Sequence, residues 1–250
     1  MKIRVLGCGG SFGSPLAWGR NGNIDINNPH NYRTRSSVLI NINEQNILID
    51  TSPDLRDQLY KAKCTKIDAV LFTHEHSDHT AGLPDMRAMS LINKSIIPAY
   101  LSPDIFESVT NNYKYIFKGV KDYSPFMTAN LIQDIFFIGD NKIETFKHNH
   151  GSIDVQTYRI NNFAYSTDIK NFYENDIDKL KNLDLWIVGL LRYDSHPSHA
   201  GFEQILEYIN YIKPKKTLFT HMTALLDQKD LLSKCPQNVM PAYDGLEIIL

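Results

Sequence analysis

The stretch "FTHEHSDHTAGL", residues 72–83, sets three histidines and an aspartate within six positions, directly after an apolar run. His74 and His76 are separated by one residue, and Asp78 and His79 follow at once. Metal–ligand bonds are only about 2.0–2.2 Å long, so a metal-binding turn needs spacing this close, and the pattern HxHxDH is specific for one. Three more ligand-type residues close apolar or strand-like runs in the same way: His150 ends "FKHNH", Asp168 ends "AYSTD" and His221 ends "TLFTH". Residues at the ends of several strands converge on one sheet edge, where α/β folds place their sites. Seven imidazole and carboxylate groups are too many for one tetrahedral ion. They suit two ions, three histidines on one and a mixed set on the other, with a bridging carboxylate accounting for the solitary Asp168. Nitrogen and oxygen donors without thiolate point to Zn2+, Mn2+ or Fe.

The elements that must carry these residues read as strands interrupted by helices. "KIRVLGC" (2–8) is strand-like and broken by "GCGGSFGSP"; "SSVLINI" (36–42), "QNILIDT" (45–51) and "DAVLFT" (68–73) follow. "SPDLRDQLYKA" (52–62) predicts a helix with Ser52 as N-cap and Pro53 in its first turn, and 102–117 repeats the Ser-Pro signal. "LPDMRAMSLI" (83–92) also starts like a helix. Four strands follow in "DIFFIGD", "KIETFKHNH", "VQTYRIN" and "NFAYSTD", the last pair turning at Asn161 and Asn162. "DLWIVGLL" (184–191) and "TLFTH" (217–221) are further strands, around an amphipathic helix over 198–212 with Phe202, Ile205, Leu206, Ile209 and Ile212 on its apolar side. The alternation predicts an α/β fold built on sheets. Two segments resist assignment: the long polar stretch 16–35, of a length that in compact domains often carries function, and the aromatic-rich 111–130, which could be lid, dimer contact or packing.

At 250 residues the chain suits a single domain over 1–250, large enough to bury a core without a disulfide or metal staple. A net charge of −2 means that phosphate recognition must be local rather than a property of the whole surface. "KPKK" (213–216), the densest basic run, reads as a solvated loop. Three scattered cysteines, Cys8, Cys64 and Cys235, imply no disulfide framework and fit a reducing cytoplasm. No leader and no apolar run of membrane-spanning length is expected.

At "THEHSDH", followed by His150, Asp168 and His221 in that order, the chain resembles the metallo-β-lactamase superfamily, over essentially its whole length. The resemblance implies an αββα sandwich of two mixed β-sheets flanked by helices, with two divalent ions (Zn2+ or Mn2+) at one sheet edge. It implies that His74, His76 and His150 hold the first ion, that Asp78, His79 and His221 hold the second, and that Asp168 bridges. Asp50, which closes "NILID", matches an aspartate that orients a ligand histidine. Aspartate rather than cysteine at 168 is similar to the phosphodiesterase and ribonuclease-type members, and His79 departs from the flavodiiron pattern. "GCGGSFGSP", "NYRTRSSVLI", "RYDSHPSHAGFEQ" and "AYDGLEIIL" narrow the resemblance to the phosphoribosyl 1,2-cyclic phosphate phosphodiesterases of phosphonate breakdown, features shared with the pyrroloquinoline quinone biosynthesis protein B group. Those relatives often bind an extra zinc through cysteines in the loop after the first strand; the cysteine-free loop of this chain predicts none.

The narrower resemblance implies hydrolysis of a small cyclic phosphodiester by a metal-bridging hydroxide, with His199 as helper, His196 second to it, and Asp78 counted with the catalytic set as well as the ligands. Histidine suits that task because its ordinary pKa lies near neutrality. Arg33, Arg35 and Arg192 are candidates to grip a substrate phosphate. The expected partner is a small phosphorylated molecule, not a membrane and not nucleic acid; a homodimer is left open. The alternatives are a nuclease of the tRNA 3′-processing type, against which the absence of a basic arm argues, and a non-hydrolytic carrier protein of cofactor biosynthesis.

Overall fold

In the computed structural model, residues 1–17 and 19–250 are described; Trp18, in the long polar stretch, lies outside them. The first sheet contains β1 (Lys2–Gly7), β2 (Ser37–Ile42), β3 (Gln45–Ile49), β4 (Ala69–Leu71), β5 (Ile97–Leu101) and β6 (Met127–Leu131), with the C-terminal β15 (Glu247–Ile249) at its other edge. Its order is β15-β1-β2-β3-β4-β5-β6, antiparallel as far as β3 and parallel beyond. The second contains β7 (Ile135–Ile138), β8 (Asn141–His150), β9 (Ile153–Ile160), β10 (Phe163–Ser166), β11 (Asn171–Phe172), β12 (Leu185–Gly189), β13 (Lys216–Thr220) and β14 (Val239–Pro241). Here the order is β11-β8-β9-β10-β12-β13-β14, with β7 on the first half of β8, and pairing turns parallel from β10 onward.

The period-two alternation of strand side chains assigns the layers. Ile40, Ile47, Ile49 and Leu71 face inward and share a core with Tyr158, Phe163, Ile187 and Leu218 of the second sheet. The intervening Leu39, Leu48 and Val70 face outward into a separate core. That outer core is closed by α1 (Leu55–Ala62), α3 (Met86–Asn93) and α4 (Pro103–Asn112) through Leu55, Leu59, Met86, Ile105 and Val109. On the far side α6 (Phe202–Ile212) buries Phe202, Ile205, Ile209 and Ile212, the stripe its periodicity predicted. Short helices α2 (Ser77–Thr80), α5 (Lys114–Phe117) and α7 (Gln228–Lys234) complete the set. The result is the αββα sandwich of two mixed sheets. No helix among the described residues is long and apolar enough to cross a membrane.

Several expectations need correction. Helix α1 begins at Leu55, not at Pro53, and Ser52 is not its N-cap: the Ser52 hydroxyl accepts from Asp54 N (3.2 Å) and donates to Gln58 (2.9 Å), so it shapes the turn before the helix. Helix α6 begins at Phe202, not at 198, because residues 198–201 belong to a turn at the site described below. Segment 111–130, left open by the sequence, packs on the outer core: Ile116 and Phe126 are buried in it, Tyr113, Tyr115, Phe117 and Tyr123 lie against it, and the Arg87 guanidinium sits 4.1 Å over the Tyr123 ring.

The polar stretch 16–35 is pinned by a hydrogen-bond network to residues 223–228. Asn23 N donates to Ala224 O, and the Asp227 carboxylate accepts from Asp25 N (3.0 Å) and Asn31 Nδ2 (2.6 Å) while also capping α7 through Lys229 N and Asp230 N. Arg33, 2% exposed, is part of this network: its two Nη groups donate to Thr223 O, Leu226 O and Asn31 Oδ1. Three of its five N–H groups are thus taken by protein oxygens, while its Nε is buried without a partner.

Burial works against the charged form of Asp227, yet the backbone donors of Asp25 and Asp230 and the Asn31 amide outweigh it and hold its pKa below the usual carboxylate value. The corresponding stability is present above the unfolded-state pKa and is lost as pH falls through the lower folded value. Asp227→Ala should therefore cost about 1–3 kcal/mol at neutral pH, from the lost cap and the unsatisfied Asn31. The gap between variant and wild type in denaturant titrations should narrow below about pH 4.

Candidate metal centre

The residues singled out by type gather at one end of the sandwich, where the parallel strands finish. Asp50 follows β3, His74 and His76 lie in the loop after β4, and the single helical turn α2 presents Asp78 and His79. From the second sheet, His150 ends β8, Asp168 lies two residues past β10 and His221 directly follows β13. Asp50, Asp168 and His221 all have left-handed backbones, with φ of 62°, 51° and 57°. Such conformations in residues other than glycine persist where the surroundings over-determine them and cluster at functional sites.

The side chains converge. His74, His76 and His150 bring one ligand atom each within 4.8 Å of the others, as do Asp78, His79 and His221. His74 Nε2 and His76 Nδ1 are 2.9 Å apart. In the second group, Asp78 Oδ2 lies 3.3 Å from His79 Nε2 and 3.2 Å from His221 Nε2. Asp168 stands between the groups: its Oδ2 is 3.2 Å from His79 Nε2, its Oδ1 is 3.3 Å from His221 Nε2 and 3.9 Å from His150 Nε2. Separations near 3.3 Å are those of ligand atoms on a tetrahedral ion with bonds of about 2.0–2.1 Å. All seven residues except His76 are buried.

Hydrogen bonds behind the imidazoles set which nitrogen faces the centre. The buried Asp50 carboxylate accepts from Thr73 N (2.8 Å) and Thr73 Oγ1 (2.8 Å), and His79 Nδ1, at 2.7 Å, donates to it. Because the Thr73 hydroxyl donates to Asp50, it accepts from His74 Nδ1 at 3.0 Å. His150 Nδ1 donates to Ser198 O at 2.8 Å. In all three rings Nε2 is left facing the cluster, and that of His79 is buried without a hydrogen-bond partner. Orientation of this kind fixes tautomer and ring angle in metal-binding histidines. An orphaned buried nitrogen among carboxylate oxygens, in a donor set of imidazole and carboxylate only, fits divalent ions of the Zn2+ or Mn2+ kind.

The electrostatics agree. Burial opposes the protonated form of His79, but Asp50, Asp168 and Asp78 overcome it and push its pKa well above the usual imidazole value. Burial likewise raises Asp168, yet His221, His79 and His74 dominate and hold it well below the carboxylate range. The surroundings of His79 thus favour positive charge, and a cation at Nε2 can take the place of the proton, whereas burial and neighbouring imidazoles push His74 and His76 down, towards the neutral rings that ligate.

His199 reaches this cluster. It is 9% exposed, its Nε2 lies 3.9 Å from Asp168 Oδ1, and its ring centroid is 4.6 Å from that of His150. Burial pushes its pKa down to about 3, with Asp168 opposing and His221, His150 and His196 adding to the fall. The shift favours the neutral ring near pH 7. His196 is one step further out, its ring 5.6 Å from that of His199 and its Nδ1 3.0 Å from Ser198 Oγ.

The arginines are not in the cluster. Arg192 donates to Asp194 O (3.3 Å) and Ser195 O (3.1 Å), bracing the turn that carries His199. Arg35 pairs with Asp54 (Nε–Oδ2 3.1 Å) and, with Arg33, lines a cavity of about 610 Å3 whose lining includes none of the seven residues. Sequence reading missed Thr73, the Ser198 carbonyl and Lys170, whose ammonium donates to Ser195 Oγ and His196 O at 2.7 Å each. Only Thr73, next to the motif, carries a positional hint.

Residues 45–222 match the family model of the beta-lactamase superfamily domain. The chain belongs to the metallo-β-lactamase superfamily. Among solved structures it is similar over its full length to a new diphosphatase from the PhnP family, with 27% identity, TM-score 0.90 and 97% of that chain covered. It also shares the fold of Zn(2+)-bound PqqB from Methylobacterium extorquens at 18% identity and TM-score 0.82, all of both chains being covered. A curated relative, an octanoyltransferase of Porphyromonas gingivalis (strain ATCC BAA-308 / W83), is 32% identical across all of this chain but only 52% of its own length. The chain thus spans about half of that relative.

Removing the carboxylate behind His79 tests the orientation argument. Asp50→Ala should weaken metal binding by about 10–100-fold, read by competition with a chromophoric chelator; unchanged affinity would contradict it.

Proposed function

We propose that this superfamily hydrolase cleaves the phosphoric ester or anhydride bond of a small phosphorylated molecule, with a cyclic phosphodiester as the leading substrate class. The observation that carries this reading is Asp168 standing between two triads of nitrogen and oxygen donors, with His199 Nε2 3.9 Å from its Oδ1. On this reading His74, His76 and His150 hold one divalent ion, Asp78, His79 and His221 a second, and Asp168 both. Bound there, such ions supply Lewis acidity towards phosphoryl oxygens and make water acidic enough to yield a nucleophile near neutral pH.

The chain's own residues do the rest. Asp50, Thr73 and Ser198 O keep three imidazoles in one tautomer, so the donor set needs no rearrangement as a substrate arrives. His199 is placed to exchange a proton with the oxygen that leaves phosphorus. A bound phosphate anion raises the proton affinity of a neighbouring imidazole, which is the direction a general acid needs. Lys170 and Arg192 hold the 195–199 turn through its carbonyls, and so fix the height of His199 over the cluster. Resemblance to a PhnP-family diphosphatase supports phosphorus as the reacting centre and adds diphosphates to the substrates worth testing. The absence of a basic arm and the net charge of −2 favour a small substrate over nucleic acid.

Protein loaded with Mn2+ or Zn2+ is followed by phosphorus NMR with ribose 1,2-cyclic phosphate 5-phosphate, a 2′,3′-cyclic nucleotide and a dinucleoside diphosphate. Metal-dependent turnover of at least one, abolished in Asp168→Ala, is expected; no turnover of any by metal-loaded protein would favour the carrier reading. His199→Ala should lower kcat by about 10²–10⁴-fold while metal content is retained. Full turnover in that variant on an unactivated ester would remove His199 from the mechanism.

A further inference from the structure

His148 is a fully buried histidine that belongs to neither triad. It lies on β8 two residues before His150, so the two rings project from the same face of the strand. Its Nε2 is 2.7 Å from the carbonyl oxygen of Thr167. A carbonyl can only accept, so His148 carries a proton on Nε2 and donates it there. The opposite edge of the ring is held by Thr157, whose Oγ1 is 3.0 Å from His148 Nδ1 and 2.9 Å from Ser166 Oγ; Trp186 Nε1 donates to that serine at 3.1 Å. The chain Trp186–Ser166–Thr157–His148–Thr167 thus runs through buried side chains of β8, β9, β10 and β12 and stops one residue short of Asp168.

Asp168 needs such support. Its backbone is left-handed, and its Oδ2 accepts from the Thr167 hydroxyl at 2.6 Å, so Thr167 is bonded at its carbonyl by His148 and at its side chain by the carboxylate. From below, Gly189 of β12 comes so close that an added Cβ would sit 2.9 Å from Asp168 N. With the Gly189 backbone beneath and His148 alongside, the Thr167–Asp168 turn has no slack. We propose that His148 is a positioning residue of the metal centre: its bond to the Thr167 carbonyl fixes the turn from which the Asp168 carboxylate reaches both triads. This rests on the reading of those triads as metal-holding.

The test measures metal binding rather than turnover. Zn2+ affinity by chelator competition and the visible spectrum of the Co2+-substituted protein are compared for wild type, His148→Leu, His148→Gln and Thr157→Val, with folding checked by far-UV circular dichroism. His148→Leu should bind about 10–100-fold more weakly, as for other groups that orient a ligand, with an altered cobalt spectrum. His148→Gln, whose amide can still donate to the carbonyl, should recover most of the affinity, and Thr157→Val should lose some in the same direction. A folded His148→Leu with wild-type affinity and spectrum would overturn the proposal, as would equal losses in the Leu and Gln variants, which mark a packing effect. If His148→Leu does not fold, Thr157→Val decides: weaker binding supports the proposal and unchanged binding overturns it. Wild-type protein that binds no divalent metal would instead bring down the reading of the triads, and this proposal with it.

Discussion

The structure depends on a local electrostatic constraint: seven groups that offer electron pairs are held within a few ångströms of one another, all but His76 away from water. His74 Nε2 and His76 Nδ1 are 2.9 Å apart, and Asp78 and Asp168 both lie against His79 and His221. Buried donors in that arrangement repel unless positive charge is shared among them. The surrounding protein resists relaxation of the cluster: Asp50 restrains His79, Thr73 restrains His74, and Ser198 O restrains His150. Three left-handed residues other than glycine, Asp50, Asp168 and His221, mark where the backbone accepts an unfavourable conformation to complete the convergence. Divalent cations relieve that repulsion, which is the physical ground for reading the cluster as a metal centre.

The sandwich makes the convergence possible. Each sheet contributes about half of the donors, so the cluster exists only if the two sheets meet in one register at their common edge. The inner core of alternating aliphatic and aromatic residues provides that register, and a close-packed interior transmits small displacements rather than absorbing them. The Gly9–Gly10 segment adds a link: Gly9 bridges to both Arg35 and Met222, and Gly10 N donates to Met222 O, next to His221. The polar stretch 16–35 is tied to the same region through Asp227 and Arg33. A partly buried hydrogen-bond network therefore holds this cysteine-free loop.

Much of this was legible in the sequence, for identifiable reasons. HxHxDH is local, so its meaning survives without knowledge of the fold, and His150, Asp168 and His221 each end a run whose strand character is strong. The inner and outer faces of β2, β3 and β4 follow directly from alternation. What was not legible depended on partners far away in the chain. Strands β5 and β6 are short, and contain Pro98 or polar Thr128 and Asn130, so their composition gives no strand signal. The start of α1 moved because Ser52 bonds to Gln58, and that of α6 because residues 198–201 shape the His199 turn. For the arginines, the sequence offers residue type alone. Whether a guanidinium faces substrate or protein carbonyls, as Arg33 does, is decided by residues about 190 positions away. The shifted pKa of His199 is likewise a consequence of burial, which sequence does not display.

The central claim, that two triads sharing Asp168 hold two divalent ions, is tested most directly by crystallising the protein with Zn2+ and collecting diffraction on both sides of the zinc absorption edge. The account predicts two anomalous peaks about 3.5–4 Å apart, one among His74, His76 and His150, the other among Asp78, His79 and His221, with Asp168 touching both. A single peak, or zinc elsewhere with the seven side chains unliganded, would contradict it.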